Sequence, residues 1–250
     1  MAAGQPAWLV VTVVAALGFT IGFSKGGFAA VGAVLTPLLT LVLSNVAQAV
    51  GILLPMLMVG DVFALYFYWR EWDARLVLPL LPGAIVGVVA GTALLAYLPV
   101  NVMRWVLALF VLLLVAYKFV SASVNQLRYQ PRRWHGPVIG GITGLASAMF
   151  NSAGPAYNSY LLLQDVPPLS FAATSALFFT LINLIKLPGY VLAGVINPSL
   201  LLTLWWVFPF IPVGLWAGRQ LTTRLKPSAF EWVIVALLLA SSVLLIWQSR

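Results

Sequence analysis

The sequence contains no cysteine, which excludes disulfides, thiolate metal sites and cysteine nucleophiles together. Charge is almost as scarce. Lys, Arg, Asp and Glu make up 7% of the 250 residues, against about 25% in a soluble globular chain. The five carboxylates and one histidine form no cluster in the sequence, and a metal cation needs such a cluster. No phosphate-binding loop and no polar stretch of domain length is present, so ATP-driven pumping has no support. What remains is 62% hydrophobic. This composition specifies an all-α, polytopic membrane protein. The net charge of +8 sits mostly beside apolar runs, where it sets orientation in the bilayer; nucleic acid is not expected as a partner. Met1-Ala2-Ala3-Gly4-Gln5-Pro6 lacks the basic opening of a signal peptide, so the first apolar run is expected to belong to the mature protein.

A hydrocarbon core of about 30 Å needs about 20 apolar residues in a helix. Trp8 to Leu43 is too long for one span, about 54 Å if straight. Divided at its glycines, it gives Trp8–Gly22 and Phe28–Leu43, each short for a crossing. Val46–Trp69, Leu76–Leu98 and Val102–Val120 are long enough, with Pro55, Pro79 and Pro82 expected to kink or end helices locally. Trp69, Trp72 and Tyr97 suit the membrane interface. Ser121–Gly136 is polar and reads as a linker. The pattern then returns as Val138–Phe150, a break, Pro155–Leu163, Phe171–Val195, Leu200–Gly218 and Trp232–Trp247.

The two halves align. Gly22 and Gly32 fall on Gly144 and Gly154 at an offset of 122. Pro82, Gly87, Gly91 and Trp105 fall on Pro209, Gly214, Gly218 and Trp232 at an offset of 127. Two homologous repeats are expected, residues 1–120 and 137–250 joined by the loop 121–136. Each opens with a Gly-rich broken or re-entrant helix followed by three transmembrane helices. If the broken segments re-enter, nine of the 13 basic residues share one side (Arg70, Arg75, Lys118, Arg128, Arg132, Arg133, Arg219, Arg224 and Lys226). That split obeys the positive-inside rule and makes the repeats inverted. If the segments cross, the repeats are parallel.

Both breaks carry polar chemistry. Gly22-Phe23-Ser24-Lys25-Gly26-Gly27 places a charge and three glycines at hydrocarbon depth, which is tolerated where backbone lines a cavity or is covered by protein. Phe150-Asn151-Ser152-Ala153-Gly154-Pro155 repeats the device. A helix resuming after either break presents free N–H groups and its positive dipole end. Ser24, Asn151, Ser152 and Asn158 add donors, Gly26, Gly27 and Gly154 allow close approach, and Lys25 adds charge. The pattern suits a small anion: phosphate, sulfate, sulfite, sulfonate or carboxylate. Lys186 and Asp61 are the other ionisable residues deep in a span, at nearly equivalent places in the two repeats. They are expected to lie close and to pair, with Asp61 a candidate coupling group. Gly22-Phe23-Ser24-Lys25-Gly26 also fits the Gly-x-Ser-x-Gly pattern of hydrolases, but it follows a helix-length run rather than a strand. No enzyme activity is expected, and no cofactor.

The Gly22–Gly27 stretch with Pro37-Leu38-Leu39, then Leu54-Pro55, Gly60-Asp61 and Gly87/Gly91, resembles the TauE/SafE family of sulfite exporters, also called TSUP. Asn151-Ser152-Ala153-Gly154-Pro155 and Asn183-Leu184-Ile185-Lys186-Leu187-Pro188 are similar to one branch of it. Many members carry Gly-x-Gly-Gly-Gly where this chain has Ser24-Lys25-Gly26-Gly27. The resemblance implies secondary transport, usually export, of sulfite or organosulfonates across the inner (plasma) membrane. It also implies a substrate site of Ser24, Lys25, Gly26, Gly27, Asn151, Ser152, Gly154, Asn183 and Lys186. The partners expected are the anionic solute, the bilayer and a second copy of the chain. A passive anion channel, a carrier of non-sulfur organic anions and a membrane scaffold are the competing readings.

Overall fold

The computed structural model describes residues 7–26, 29–43, 45–124, 134–162, 164, 166–196, 205–222, 238–240, 243–244 and 246–247. Among them the chain is helical, without strands. The helices are α1 (Ala7–Lys25), α2 (Ala29–Leu43), α3 (Val46–Phe67), α4 (Ala74–Val77), α5 (Leu81–Tyr97), α6 (Val100–Val124), α7 (His135–Phe150), α8 (Gly154–Leu162), α9 (Pro168–Leu192) and α10 (Phe210–Thr222). Val46–Phe67, Ala74–Tyr97, Val100–Tyr117 and Leu169–Leu192 are long and apolar enough to cross a membrane.

Local chemistry sets several boundaries. Asn45 caps α3 by accepting from the Gln48 N–H at 3.2 Å, and Asp73 caps α4 by accepting from Arg75 at 2.9 Å. Pro79 and Pro82 interrupt the Ala74–Tyr97 span as expected, α4 ending at Val77 just before Pro79. They occupy the first turns of a 3₁₀ segment and of α5, where no N–H is required. Pro55 lies inside α3, which continues past it.

The first break falls later than the glycines suggest. α1 runs through Gly22, Phe23 and Ser24 to Lys25, and Gly26 N–H closes the last turn on Gly22 O at 3.0 Å. Gly22 and Gly26 serve a seam instead. A methyl group built on Gly22 would meet the Ile211 carbonyl oxygen at 1.8 Å, and one on Gly26 the Leu215 oxygen at 2.5 Å. Thus α1 lies backbone-to-backbone on α10, a contact that only glycine allows.

A second seam, α5 on α7, has the same register. Gly22 meets the carbonyl of Ile211, and Gly144 meets that of Ala84. Gly214 meets Phe19 as Gly87 meets Gly141, and Gly218 meets Phe23 as Gly91 meets Leu145. Gly18 meets Val207 as Gly140 meets Leu80. Each α1 residue precedes its α7 counterpart by 122, and each α10 residue follows its α5 counterpart by 127. The first helix of either half therefore packs on a late helix of the other.

Directions follow from contacts. Gly32 of α2 faces Ser24 of α1, with Ser24 Oγ at 3.6 Å from a built methyl. Ile21 shares a buried cluster with Leu35 and Leu39. α1 and α2 thus form an antiparallel hairpin. α3 and α9 are antiparallel as well: Gly51 lies against Val195, Asp61 against Asn183, and the Asp73 N–H donates to Thr174 Oγ1 at 3.0 Å. Arg219, near the end of α10, stacks 5.8 Å from the ring of Phe67 at the end of α3. Arg219 and Arg70 consequently share one end of the bundle.

Candidate functional site

The second break is three residues long, Asn151 to Ala153. Asn151 takes a left-handed conformation (φ 52°) as the cap of α7, a role open to Asn as well as Gly. A helix end inside a bilayer leaves its last carbonyls without water. Here other elements supply donors. Ser147 O accepts from the Asn151 N–H at 2.9 Å and from Lys186 Nζ at 3.3 Å. Ala148 O accepts from the Tyr190 hydroxyl at 2.5 Å, and Phe150 O from Thr36 at 2.6 Å. Thr36 and Tyr190 were not singled out in the sequence. The bare helix end was the signal for them, since its carbonyls had to be met by hydroxyls on neighbouring spans.

Lys186 is fully buried. Its ammonium donates to Asn151 Oδ1 at 2.7 Å and lies 5.8 Å from the Tyr190 ring centre. Asn151 is itself held in place, because its Nδ2 donates to Val50 O on α3 at 3.1 Å. Among the described residues no carboxylate is in ion-pair contact with Lys186.

Asp61 is fully buried too, but its partner is not the one expected. Its Oδ1 forms a salt bridge with Lys25, and its Oδ2 accepts from Asn183 Nδ2 at 2.5 Å. The antiparallel run of α3 against α9 sets Asn183 opposite Asp61, and Lys186 falls one turn further along. Lys25 closes the last turn of α1, where a cation favours the helix dipole. The Phe179 ring covers it at 5.2 Å.

The remaining expected residues divide. Ser24 is buried and donates to Ile21 O in its own helix at 2.7 Å; with Lys25 engaged by Asp61, no nucleophile–base pair forms. Gly26 is consumed by the α10 seam. Gly27 lies outside the described residues. Ser152 Oγ and Asn158 Oδ1 are buried without a hydrogen-bond partner. A methyl on Gly154 would meet only Asn158 Nδ2, at 3.7 Å. The start of α8 therefore combines unspent polar groups, room beside the backbone and a helix N-terminus.

Lys25, Asp61, Asn183, Lys186 and Asn151 link the end of α1 to the end of α7 by way of α3 and α9. Two lysines against one carboxylate leave one positive charge in excess when all are ionised. Among the described residues no three His, Asp or Glu side chains gather as metal ligands. The chemistry on offer is recognition of a small anion.

Comparison with curated proteins found no significant match, and comparison with solved structures found none. The family model described as sulfite exporter TauE/SafE matches residues 14–245, nearly the whole chain, and the chain belongs to that family of membrane transporters.

Proposed function

We propose that this chain is a secondary transporter that exports small sulfur-containing anions, sulfite or organosulfonates, across the plasma (inner) membrane by alternating access coupled to protons. The observation that carries the reading is Lys186. The ammonium is fully buried and hydrogen-bonds only to neutral acceptors; the nearby Asp61 carboxylate is spent on Lys25, and a buried charge without a contacting partner is costly. An anionic guest supplies that counter-ion. The start of α8, with Ser152, Gly154 and Asn158, offers donors for its oxygens. The family supplies the preference for sulfur.

Residues 1–120 and 137–250 act as two inverted repeats in this reading. The exchanged seams, the α1–α2 hairpin and the antiparallel α3–α9 pair support a pseudo-two-fold axis in the membrane plane, which suits an alternating-access carrier with its site at the midplane. Asp61, beside that axis, is the coupling group.

The test is transport in proteoliposomes with labelled sulfite or methanesulfonate. An imposed proton gradient is expected to drive accumulation above the external concentration, and Asp61→Asn is expected to leave only downhill flux. Downhill flux alone in the wild type would make the protein a channel. Flux unaffected by both Lys25→Ala and Lys186→Ala would sink the anion reading itself.

A further inference from the structure

The two buried lysines are held on one plan and differ in one group. Lys186 faces an amide oxygen of Asn151, whereas Lys25 faces a carboxylate oxygen of Asp61. An anionic guest that reached the first ammonium would displace no charge. The second already holds an anion, and that anion belongs to the protein. We propose that Lys25 is a second anion-binding position, closed in this conformation by Asp61 and opened when Asp61 takes a proton. The inference rests on the anion-transport reading above.

The exchange balances simply. A proton from water adds to the Asp61 carboxylate, the ion pair with Lys25 dissolves, and the incoming anion pairs with the freed ammonium. The net charge of the site is the same before and after for a monovalent guest. Both partners of the pair are deep in the protein, Asp61 wholly and Lys25 with a side chain 12% exposed. Leaving either charge alone there is strongly unfavourable, because a buried pair broken on one side leaves an uncompensated charge. Opening Lys25 therefore requires both events together, the proton on Asp61 and the anion on Lys25.

Asn183 suits this exchange. Its amide donates to Asp61 Oδ2 in the ionised state. An amide also carries a carbonyl oxygen, so after a turn about its terminal torsion it can accept from the protonated acid. A cation at that place could serve only the carboxylate. The charged and titratable surroundings of Asp61 are few. Lys25 reaches it from α1, α2 contributes no ionisable residue, and α9 contributes Lys186 one turn beyond Asn183. α10 contributes Arg219, which sits at the end of α3 on Phe67.

A consequence is that proton and anion move together. A monovalent anion that accumulates in the cell then leaves with its proton, without moving net charge.

Calorimetric titration of the purified protein tests this. The probes are methanesulfonate and sulfate, which stay ionised throughout, and sulfite with its own titration subtracted. Repeating each titration in two buffers of different ionisation enthalpy counts the protons taken up. The expected result is one proton taken up per anion bound at Lys25 in the wild type. Asp61→Asn is expected to bind with one proton fewer taken up than the wild type. Lys25→Gln/Asp61→Asn removes both charges of the pair, serves if the single variant fails to fold, and is expected to bind at Lys186 alone, with the uptake that belongs to Lys25 lost. Wild-type binding without proton uptake overturns the proposal, as does uptake that is undiminished in the double variant. Absence of binding by all three anions overturns the transport reading, and this inference with it.

Discussion

Asn183 donates to the Asp61 carboxylate at 2.5 Å, and that bond ties the two halves of the chain where α3 and α9 lie side by side. It sits between the Gly51–Val195 contact and the Asp73–Thr174 bond, about 15 Å along α3 from the first. The repeat offsets of 122 and 127 give Asp61 a counterpart between Asn183 and Pro188. Equivalent positions face one another beside a two-fold axis, so the inverted-repeat proposal expects that axis at the buried carboxylate.

Removal of this bond should be felt in stability. Asn183→Leu leaves Asp61 Oδ2 buried and unsatisfied, at a cost of about 1–3 kcal/mol. Asp61→Asn/Asn183→Leu should cost less than the sum of the two single changes, because the carboxylate that needed a donor is gone. Thermal or denaturant unfolding in detergent gives the cycle. Strict additivity would mean that the two side chains do not interact.

Lys186 should be sensitive to charge rather than to bulk. Lys186→Met keeps most of the volume and should lower anion affinity roughly 10–100-fold, the equivalent of about 1.5–3 kcal/mol for a charged hydrogen bond. Asn151→Asp is the sharper change. Asp tolerates the left-handed backbone of the cap, and its carboxylate would sit 2.7 Å from the ammonium, taking the place of the guest. The variant should fold and bind no anion at Lys186, leaving only the proton-linked binding at Lys25. Retained binding without proton uptake in Asn151→Asp would move the guest away from Lys186.

The sequence made the second break legible to within a residue or two because its signals are local: an Asn that can cap in the left-handed region and a Pro in the first turn of α8. The first break was misplaced for a tertiary reason. Gly22 looks like a helix breaker in isolation, but its missing side chain lets α10 approach, and the helix runs on to Lys25. The pairing of Asp61 failed similarly. Repeat offsets identify equivalent positions, whereas contacts depend on how α3 and α9 cross, and that antiparallel register brings Asn183 and not Lys186 to the carboxylate. The partner of Lys25 was accessible in principle, since a cation at a helix end inside the bilayer has few carboxylates to choose from.

The glycines themselves sort into two classes with opposite expected phenotypes. Gly22→Val and Gly144→Val push a side chain into the carbonyls of Ile211 and Ala84. Each should destabilise by about 1–3 kcal/mol or more and lower the yield of folded protein. Gly154→Ala meets no backbone and should leave unfolding unchanged while weakening anion binding. Size-exclusion profiles and unfolding midpoints separate the classes. Equal loss of fold in Gly22→Val and Gly154→Ala would contradict the open space beside α8.

The absence of cysteine from the chain makes its topology directly measurable with single introduced thiols. Arg219 rests on Phe67 and Thr174 bonds to Asp73, so the end of α10, the α3–α4 turn and the start of α9 share one face. By the positive-inside rule, the basic residues on that face, Arg70, Arg75 and Arg219, predict it to be the cytoplasmic one. Glu71→Cys and Gln220→Cys should therefore resist a membrane-impermeant maleimide in intact cells and react after permeabilisation. Asn101→Cys, in the first turn of α6 at the opposite end, should react in intact cells. A chain in which each broken segment crossed the bilayer would put residues 71 and 220 on opposite faces. Labelling of one of that pair without the other would thus remove the re-entrant hairpins and, with them, the inverted relation of the two halves.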